Sequence, residues 1–188
     1  MSIELWHGVP GCGKSTAMHA RTRADIEGSG LPCIVLDPGR VDQWAGVPHV
    51  PTLSGVYDLA WSKRAHVAIA ADADEEERIC EALLLHSRGA GGFILVIDEL
   101  REYASGRAVG EALVQLARRH RHARVEIRMG TQSIGDLRTE LLAAVDTIWT
   151  GRNSAPYNLE ALERRYGLDP ERVRTLGVGE FMETRVGM

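Results

Sequence analysis

The sequence predicts an α/β fold in which helices cover both faces of a mainly parallel central sheet. Strand-like and helix-like segments alternate along the chain, and several predicted strands are continuous apolar runs, as expected for strands buried on both faces. A glycine-rich turn joins the first strand to the first helix. The 188 residues suit one domain with a sizeable core, so we assign residues 1–188 to a single domain.

Seven segments have the composition of β-strands and six have that of helices. The predicted strands span residues 3–9, 32–37, 66–70, 92–98, 125–131, 147–150 and 181–186. The predicted helices span residues 15–27, 75–88, 109–121, 137–145, 158–166 and 170–176. Asp169 is the predicted N-cap of the last helix, with Pro170 at its first position and Gly177 just beyond its end. Residues 38–54 break the apolar rhythm, so we predict a long surface excursion there.

Composition and charge exclude several classes of protein. The formal net charge of −4 argues against a chain that coats nucleic acid over its whole surface. No apolar run approaches the roughly 20 residues of a membrane helix, and no leader-like segment opens the chain, so we expect a soluble, intracellular protein. Three cysteines without metal-ligand spacing indicate neither a disulfide framework nor a zinc site. Cys12 is interpreted as a small filler residue, with an oxidation-sensitive thiol as the alternative.

The stretch ELWHGVPGCGKS, residues 4–15, matches the pattern G-x-x-x-x-G-K-[ST] between a predicted strand and a predicted helix. Its glycines allow backbone N–H groups to point at phosphates beside a helix N-terminus. Lys14 would neutralise phosphate charge, and the Ser15 hydroxyl would ligate Mg²⁺. Lys14 is one of two lysines in a chain that has twenty arginines. These residues predict a nucleotide-binding loop, against the alternative of a glycine-rich turn that binds nothing.

A second motif is GGFILVIDEL, residues 91–100, in which an apolar strand runs into Asp98 and Glu99. Ligands bind at the carboxyl ends of the strands in open α/β sheets, so Asp98 can hold the Mg²⁺ bound at Ser15. Glu99 is placed to orient or deprotonate an attacking water. The alternative is a solvated turn. An acidic pair of this kind favours hydrolysis over transfer to an acceptor.

The third motif is VEIRMGTQSIGDL, residues 125–137, where a predicted strand ends at Gln132. Its amide would lie at the same edge of the sheet as Asp98, where it could hydrogen-bond a γ-phosphate or the attacking water. The alternative is a glutamine that only caps the following turn.

Residues 101–128 are locally basic, with seven arginines and three acidic residues. Cations at the end of a helix are often only a solvated face that meets the negative end of the helix dipole. The functional alternatives are an arginine finger that reaches a neighbouring subunit and contacts to DNA phosphates. The candidate residues are Arg118, Arg119, Arg121, Arg124 and Arg128, accompanied by His120 and His122.

Taken together, GVPGCGKS, ILVIDE, an arginine-rich helix end leading to GTQ, and the tail LGVGEFMETR resemble the HerA/FtsK superfamily of ring-forming ATPases that pump DNA. Within that superfamily the chain is most similar to the genome-packaging ATPases of tailless icosahedral viruses with an internal membrane. The resemblance implies a RecA-like (ASCE) P-loop NTPase core. It also implies a ring homo-oligomer, pentameric or hexameric, around double-stranded DNA, and Mg²⁺-dependent ATP hydrolysis at subunit interfaces.

The resemblance also implies roles for individual residues. Asp98 and Ser15 would hold the metal, Glu99 would be the base and Gln132 the sensor, while Arg119 or Arg121 would be the finger donated in trans. A capsid vertex protein would be a further partner, and the location would be the host cytoplasm or the packaging vertex of the virion. The residues expected to contact ATP are Gly8, Pro10, Gly11, Cys12, Gly13, Lys14, Ser15 and Thr16.

Other classes of P-loop protein fit less well. A GTPase would carry N-K-x-D after a later strand, and TGRNSAP at residues 150–156 does not match it. A small-molecule or nucleotide kinase would need no Glu99, although residues 118–128 could imitate its arginine lid. A regulatory subunit without hydrolysis and a plasmid or cellular DNA translocase are further alternatives. Candidate DNA-facing loops are residues 43–54, 103–107 and 133–138.

Overall fold

A computed structural model of the chain describes residues 1–37, 44, 47, 49–50, 65–68, 73–87, 92–100 and 110–186. Within these ranges eight strands form one sheet. In spatial order they run β3-β4-β2-β5-β6-β1-β7-β8, and every adjacent pair is parallel except β7 and β8. The strands are β1 (Ile3–His7), β2 (Cys33–Leu36), β3 (His49–Val50), β4 (Ala65–Ala68), β5 (Phe93–Ile97), β6 (Val125–Thr131), β7 (Thr147–Thr150) and β8 (Met182–Arg185).

Helices cover both faces of this sheet, as the sequence predicts. The described helices are α1 (Lys14–Ser29), α2 (Ala73–His86), α3 (Glu111–Ala123), α4 (Thr139–Leu142), α5 (Pro156–Tyr166) and α6 (Pro170–Arg174). Along β5, Leu95 packs in a large apolar cluster with residues of α2 to α6, whereas Val96 packs in a second cluster with Met18 of α1. Consecutive side chains of a strand point to opposite faces, which explains why β5 is apolar throughout.

The order of the strands determines which loops meet. β6 lies between β1 and β5, in register from Ile3↔Ile127 on one side and Phe93↔Val125 on the other. Because these three strands are parallel, the segments that follow them leave from the same edge of the sheet. The predicted RecA-like (ASCE) core has this arrangement, with one strand between β1 and β5.

Of residues 38–54, predicted as a surface excursion, the structure describes only Trp44, Val47 and His49–Val50, and for Trp44 the prediction is wrong. Trp44 is 3% exposed and packs in the second apolar cluster, where its ring stands edge-on to His19 at 4.9 Å between centroids. His49–Val50 forms β3 at the end of the sheet. An isolated tryptophan among Gly and Pro gave no periodicity from which its burial could be inferred.

The C-terminal segments agree with the predictions in type. Asp169 caps α6, since its Oδ1 accepts a hydrogen bond from the backbone N–H of Glu171 at 2.9 Å, and Pro170 opens the helix. The predicted helix at 137–145 is shorter than expected, with one turn at Thr139–Leu142. The last strand pairs antiparallel with β7, from Thr147↔Arg185 to Thr150↔Met182.

Arg128 belongs to the interior. Its side chain is 2% exposed and lies among the carboxylates of Glu4, Asp25 and Glu126, and its Nη1 donates to Thr22 Oγ1 at 2.9 Å. This buried cluster ties β6 to β1 and to α1. Arg128 is therefore committed to the fold and is withdrawn from the candidates for an arginine finger or a DNA contact.

None of the described helices is long and apolar enough to cross a membrane. The three cysteines are buried free thiols. Because parts of the chain lie outside the described ranges, the assignment of residues 1–188 to one domain stays a prediction.

Candidate functional site

The loop between β1 and α1 has the backbone that a phosphate-binding turn needs. Gly11 and Gly13 adopt φ values of 75° and 96°, in the left-handed region that favours glycine. Gly13 is also the N-cap of α1 and offers no side chain to the N–H groups of the first turn. Those N–H groups, at the positive end of the helix dipole, remain for an anionic ligand.

Two other segments of the chain hold this loop in place. The N–H of Val9 donates to the Arg152 carbonyl at 3.0 Å, and the N–H of Gly179 donates to the Cys12 carbonyl at 2.9 Å. A Cβ atom on Gly13 would lie 3.3 Å from the backbone of Gly179. The C-terminal tail that contributed to the family resemblance therefore lies directly against the loop. Cys12 is fully buried, as a filler residue would be.

Lys14 turns its ammonium back into the loop. Its Nζ donates to the carbonyl oxygens of Gly8 at 2.9 Å and Val9 at 3.3 Å, and the residue is 7% exposed. A cation on a flexible stem, held only by neutral carbonyls, can exchange these bonds for phosphate oxygens. Pro10 and Thr16, which are also expected to contact ATP, are exposed on the same stretch.

Ser15 and Asp98, the two predicted metal ligands, are in direct contact. Ser15 Oγ donates to Asp98 Oδ1 at 2.8 Å. Asp98 is 5% exposed, and its Oδ2 has no hydrogen-bond partner among the described residues. Burial raises the pKa of Asp98 above its usual value, while the bond from Ser15, the charge of Lys14 and a contact with the Trp44 side chain act in the opposite direction. A buried carboxylate beside a hydroxyl suits a hard divalent cation.

Glu99 and Gln132 also meet. Gln132 Nε2 donates to Glu99 Oε2 at 2.8 Å, and Glu99 Oε1 is buried without a hydrogen-bond partner in the described part of the chain. The close approach of β5 and β6 depends on Gly130, where a Cβ atom would lie 2.2 Å from the Asp98 carbonyl oxygen. The N–H of Leu100 donates to the Gly130 carbonyl at 2.7 Å. The carboxylate and the amide are therefore fixed side by side.

Sequence reasoning missed a buried polar group below the loop. His7, at the end of β1, is fully buried, and its Nε2 lies 3.3 Å from Asn153 Nδ2. Burial, reinforced by the charge of Lys14, lowers the pKa of His7 to about 4. Asn158 lies next to the same ring and to the backbone of Gln132. A histidine in an apolar run, an asparagine before a helix and another in the first turn of that helix carry no sequence pattern that marks them as functional.

The exposed arginines of α3 lie away from this site. α3 ends just before β6 begins, so Arg118, Arg119 and Arg121 are at the amino edge of the sheet. Arg121 pairs with Asp146 at 2.6 Å, and Asp146 also accepts from the N–H of Ile3. The five residues of β1 separate that edge from the phosphate-binding loop by about 15 Å. An arginine here is therefore remote from the loop of its own chain.

Of the three candidate DNA-facing loops, residues 133–138 are described fully and are well packed. Ile134 and Leu137 are 0% and 5% exposed, and Arg138 pairs with Glu111 at 3.2 Å. Residues 103–107 lie outside the described residues, and residues 43–54 are described only at Trp44, Val47 and His49–Val50.

Comparison with known proteins gives solved structures of the same fold. Neither a protein-family model nor a curated protein matches the sequence. The genome packaging NTPase B204 from Sulfolobus turreted icosahedral virus 2, in its sulfate complex, matches with a TM-score of 0.83 and 21% identity over 98% of this chain and 91% of that chain. Its AMP complex matches with a TM-score of 0.80 and 22% identity over 98% and 92%.

A conjugation coupling protein also shares the fold. The pCW3 conjugation coupling protein TcpA, with ATPγS, matches with a TM-score of 0.67 and 17% identity over 98% of this chain and 57% of that chain. The chain therefore has the P-loop NTPase fold, and the resemblance to viral packaging ATPases is confirmed for the fold. The roles of the individual site residues stay predictions.

Proposed function

We propose that the chain is an ATP-driven translocase of double-stranded DNA that packages a viral genome into a capsid as a ring homo-oligomer. The observation that carries the proposal is the pairing of Ser15 with Asp98 and of Glu99 with Gln132 at one edge of the sheet, next to a loop suited to phosphates. The fold shared with a genome packaging NTPase supports the same function.

The residues present fit Mg²⁺-ATP. The N–H groups at the start of α1 and the Lys14 ammonium would hold the β- and γ-phosphates. Ser15 Oγ and the Asp98 carboxylate would hold the cation, directly or through water. No group of three or more His, Cys, Asp or Glu side chains that could form a metal site occurs among the described residues. That finding agrees with a metal held mainly by phosphates, water and one carboxylate.

Hydrolysis needs an oriented water, and Glu99 is placed to supply it. Bound Mg²⁺ would neutralise charge that develops on the phosphate oxygens. Oε1 of Glu99, which has no hydrogen-bond partner among the residues that the structure describes, is the atom that can accept a proton from the water. Gln132 holds the other oxygen of that carboxylate, which fixes its orientation. Loss of the γ-phosphate would alter the Glu99–Gln132 bond and so reach the loop after β6.

In a ring, each subunit would receive its arginine finger from a neighbouring subunit. The arginines at the amino edge are far from the loop of their own chain, so a finger must act on a neighbouring subunit. Arg119 is exposed and makes no ion pair with any described residue, whereas Arg121 is held by Asp146. DNA contact confined to a lined pore is compatible with a net charge of −4. A capsid vertex protein and a location in the host cytoplasm or virion belong to the same proposal.

The test is steady-state ATP hydrolysis at increasing protein concentration, with and without double-stranded DNA, using Glu99→Gln as the blank. We expect turnover per subunit to rise with concentration as rings assemble and to change when DNA is added. DNA-dependent turnover should also weaken steeply with added salt, because phosphate contacts release counterions.

Other outcomes point to different functions. Hydrolysis that depends on neither concentration nor DNA would contradict the ring translocase, and phosphate transfer to a small acceptor would favour the kinase alternative. Hydrolysis by Glu99→Gln at the parent rate would show that Glu99 is not the base. DNA stimulation without packaging would favour a plasmid or cellular translocase.

A further inference from the structure

The side chain of Asn158 in helix α5 hydrogen-bonds to the loop that carries Gln132. Asn158 Nδ2 donates to the Gln132 carbonyl at 3.0 Å, and Asn158 Oδ1 accepts from the N–H of Ile134 at 3.2 Å. The same Oδ1 lies 3.5 Å from the Ser133 hydroxyl. The amide therefore spans Ser133 and satisfies backbone groups on both sides of it, with donor and acceptor each in use.

Asn158 is placed for this contact and shielded from water. It is 6% exposed and lies in the first turn of α5, which begins at Pro156. The neighbouring Tyr157 packs on the same loop, where a Cβ atom on Gly135 would lie 2.0 Å from its ring. Helix α5 and the Gln132 loop thus meet through a polar and an aromatic contact. Buried hydrogen bonds of this kind leave unsatisfied backbone groups when one partner is removed.

The position of Gln132 depends on this contact because its side chain has a second task. Its backbone carbonyl is held by Asn158, and its Nε2 donates to Glu99 Oε2 at 2.8 Å. A shift of about 1 Å in a positioned group can lower a rate about 100-fold. We propose that Asn158 is a positioning residue for ATP hydrolysis, which holds Gln132 against Glu99 and links this pair to helix α5. This inference rests on the proposed ATPase activity.

The test compares Asn158→Ala and Asn158→Asp with the parent in ATP turnover and in ATPγS affinity. The Asp variant keeps an acceptor for the Ile134 N–H and loses the donor to the Gln132 carbonyl. We expect kcat to fall by about tenfold or more, because the Glu99–Gln132 pair loses its alignment, while the Kd for ATPγS changes by less than about threefold. Equal loss in binding and turnover would overturn the proposal.

Asn153→Ala is the matched control. Asn153 is a buried asparagine in the segment before α5. Its Oδ1 accepts from the N–H of Ala155 at 2.9 Å and its Nδ2 lies 3.3 Å from His7 Nε2, and among the described residues it makes no hydrogen bond to the Gln132 loop. Asn153→Ala should lower the free energy of unfolding measured in urea but leave kcat within about threefold of the parent. If it lowers kcat as much as Asn158→Ala at a similar loss of stability, Asn158 has only a structural role.

A double-mutant cycle with Gln132→Ala, measured by single-turnover hydrolysis with excess enzyme, separates the two roles further. If Asn158 acts through Gln132, Asn158→Ala should change the rate little once Gln132 is absent. Equal effects in both backgrounds would overturn the proposal while leaving the ATPase intact. A parent protein that does not hydrolyse ATP at all would instead refute the proposed function, and this inference with it.

Discussion

His7 shows how a residue without a catalytic motif can be tied to the site. It is fully buried at the end of β1, directly before the phosphate-binding loop, and it is neutral because burial and the Lys14 charge oppose protonation. Its Nδ1 has no hydrogen-bond partner among the described residues. A positive charge at this position would lie beside Lys14 with no counterion described for it.

The low pKa of His7 predicts acid sensitivity of the fold. Between its ordinary pKa of 6.5 and the folded value of about 4, the unfolded chain binds a proton at His7 that the folded chain does not. The free energy of unfolding should therefore fall as pH falls through this window, by about 3 kcal/mol from this residue. Urea unfolding from pH 7.5 to pH 4 measures it, and His7→Gln should remove this part of the slope. An equal slope in both proteins would contradict the low pKa.

At the residue scale, sequence motifs marked four candidate site residues, because the spacing of such residues is constrained by the nucleotide and metal that they would bind. Lys14, Ser15, Asp98 and Glu99 follow from two motifs, and the contact of Ser15 with Asp98 at 2.8 Å agrees with their expected sharing of a metal. The bond from Asn158 to the Gln132 loop joins residues 26 positions apart and has no motif. Such contacts are set by the packing of α5 and cannot be inferred from local periodicity.

Among the elements, α1 is held to the sheet by an unusual amount of buried charge. Arg128 of β6 is 2% exposed and Glu4 of β1 is 3% exposed, and Arg21 of α1 also pairs with Glu4 at 2.7 Å. Because α1 carries Lys14 and Ser15 at its start, the cluster also fixes the direction from which α1 presents them.

Arg128→Ala should destabilise the protein by about 3 kcal/mol, because it removes a buried guanidinium and leaves the buried Glu4 with Arg21 as its remaining described counterion. Urea unfolding at pH 7 measures the loss. Arg174→Ala is a control for removing an arginine, since Arg174 is exposed and its pair with Glu171 should contribute less than about 1 kcal/mol. A similar small loss for Arg128→Ala would show that the cluster does not stabilise the fold.

The types and order of the elements followed from the sequence because strands buried on both faces are continuous apolar runs. β6 and β7 occupy the predicted residues 125–131 and 147–150. The sequence did not predict that α4 would be a single turn or that β8 would run antiparallel to β7. Strand direction depends on which neighbour the tail pairs with, and the tail pairs with β7, where Phe181 just before β8 packs against Trp6 at 5.2 Å between ring centroids.

At the scale of the whole molecule, the candidate nucleotide site and the exposed arginines of α3 lie at opposite edges of the sheet, whereas the exposed Arg152 follows β7 beside the phosphate-binding loop. The site lies at the carboxyl edge of the parallel strands, whereas Arg118, Arg119 and Arg121 lie at the amino edge. A single subunit therefore has the parts of a composite site at its two ends. Rings assembled head to tail would bring the two kinds of surface together.

Mixing two inactive variants tests this arrangement. Lys14→Ala should not bind ATP but would still carry its arginines, and Arg119→Ala would bind ATP without the finger. Each alone should lose hydrolysis, by on the order of 10³-fold for a true finger. Mixed rings should regain part of the activity, because an intact site can face an intact arginine. ATP hydrolysis as a function of mixing ratio measures the effect.

Arg118→Ala is the control for that experiment, since it removes a neighbouring exposed charge from the same helix end. It should keep most of its activity without a partner. If Arg119→Ala is active alone and Arg121→Ala is inactive and rescued by Lys14→Ala, the finger is Arg121 and its pair with Asp146 must open. Activity in all three variants would contradict a finger on α3.

The candidate site needs a glycine at position 130, although no catalytic motif includes this requirement. Its φ is not in the left-handed region, and it lies inside a strand, where glycine is ordinarily unfavourable. A methyl group there would meet the Asp98 carbonyl oxygen at 2.2 Å, so even alanine would push the segment that carries Asp98 away from β6, which leads into Gln132. The information that specifies the candidate site therefore includes a residue whose contribution is the absence of a side chain.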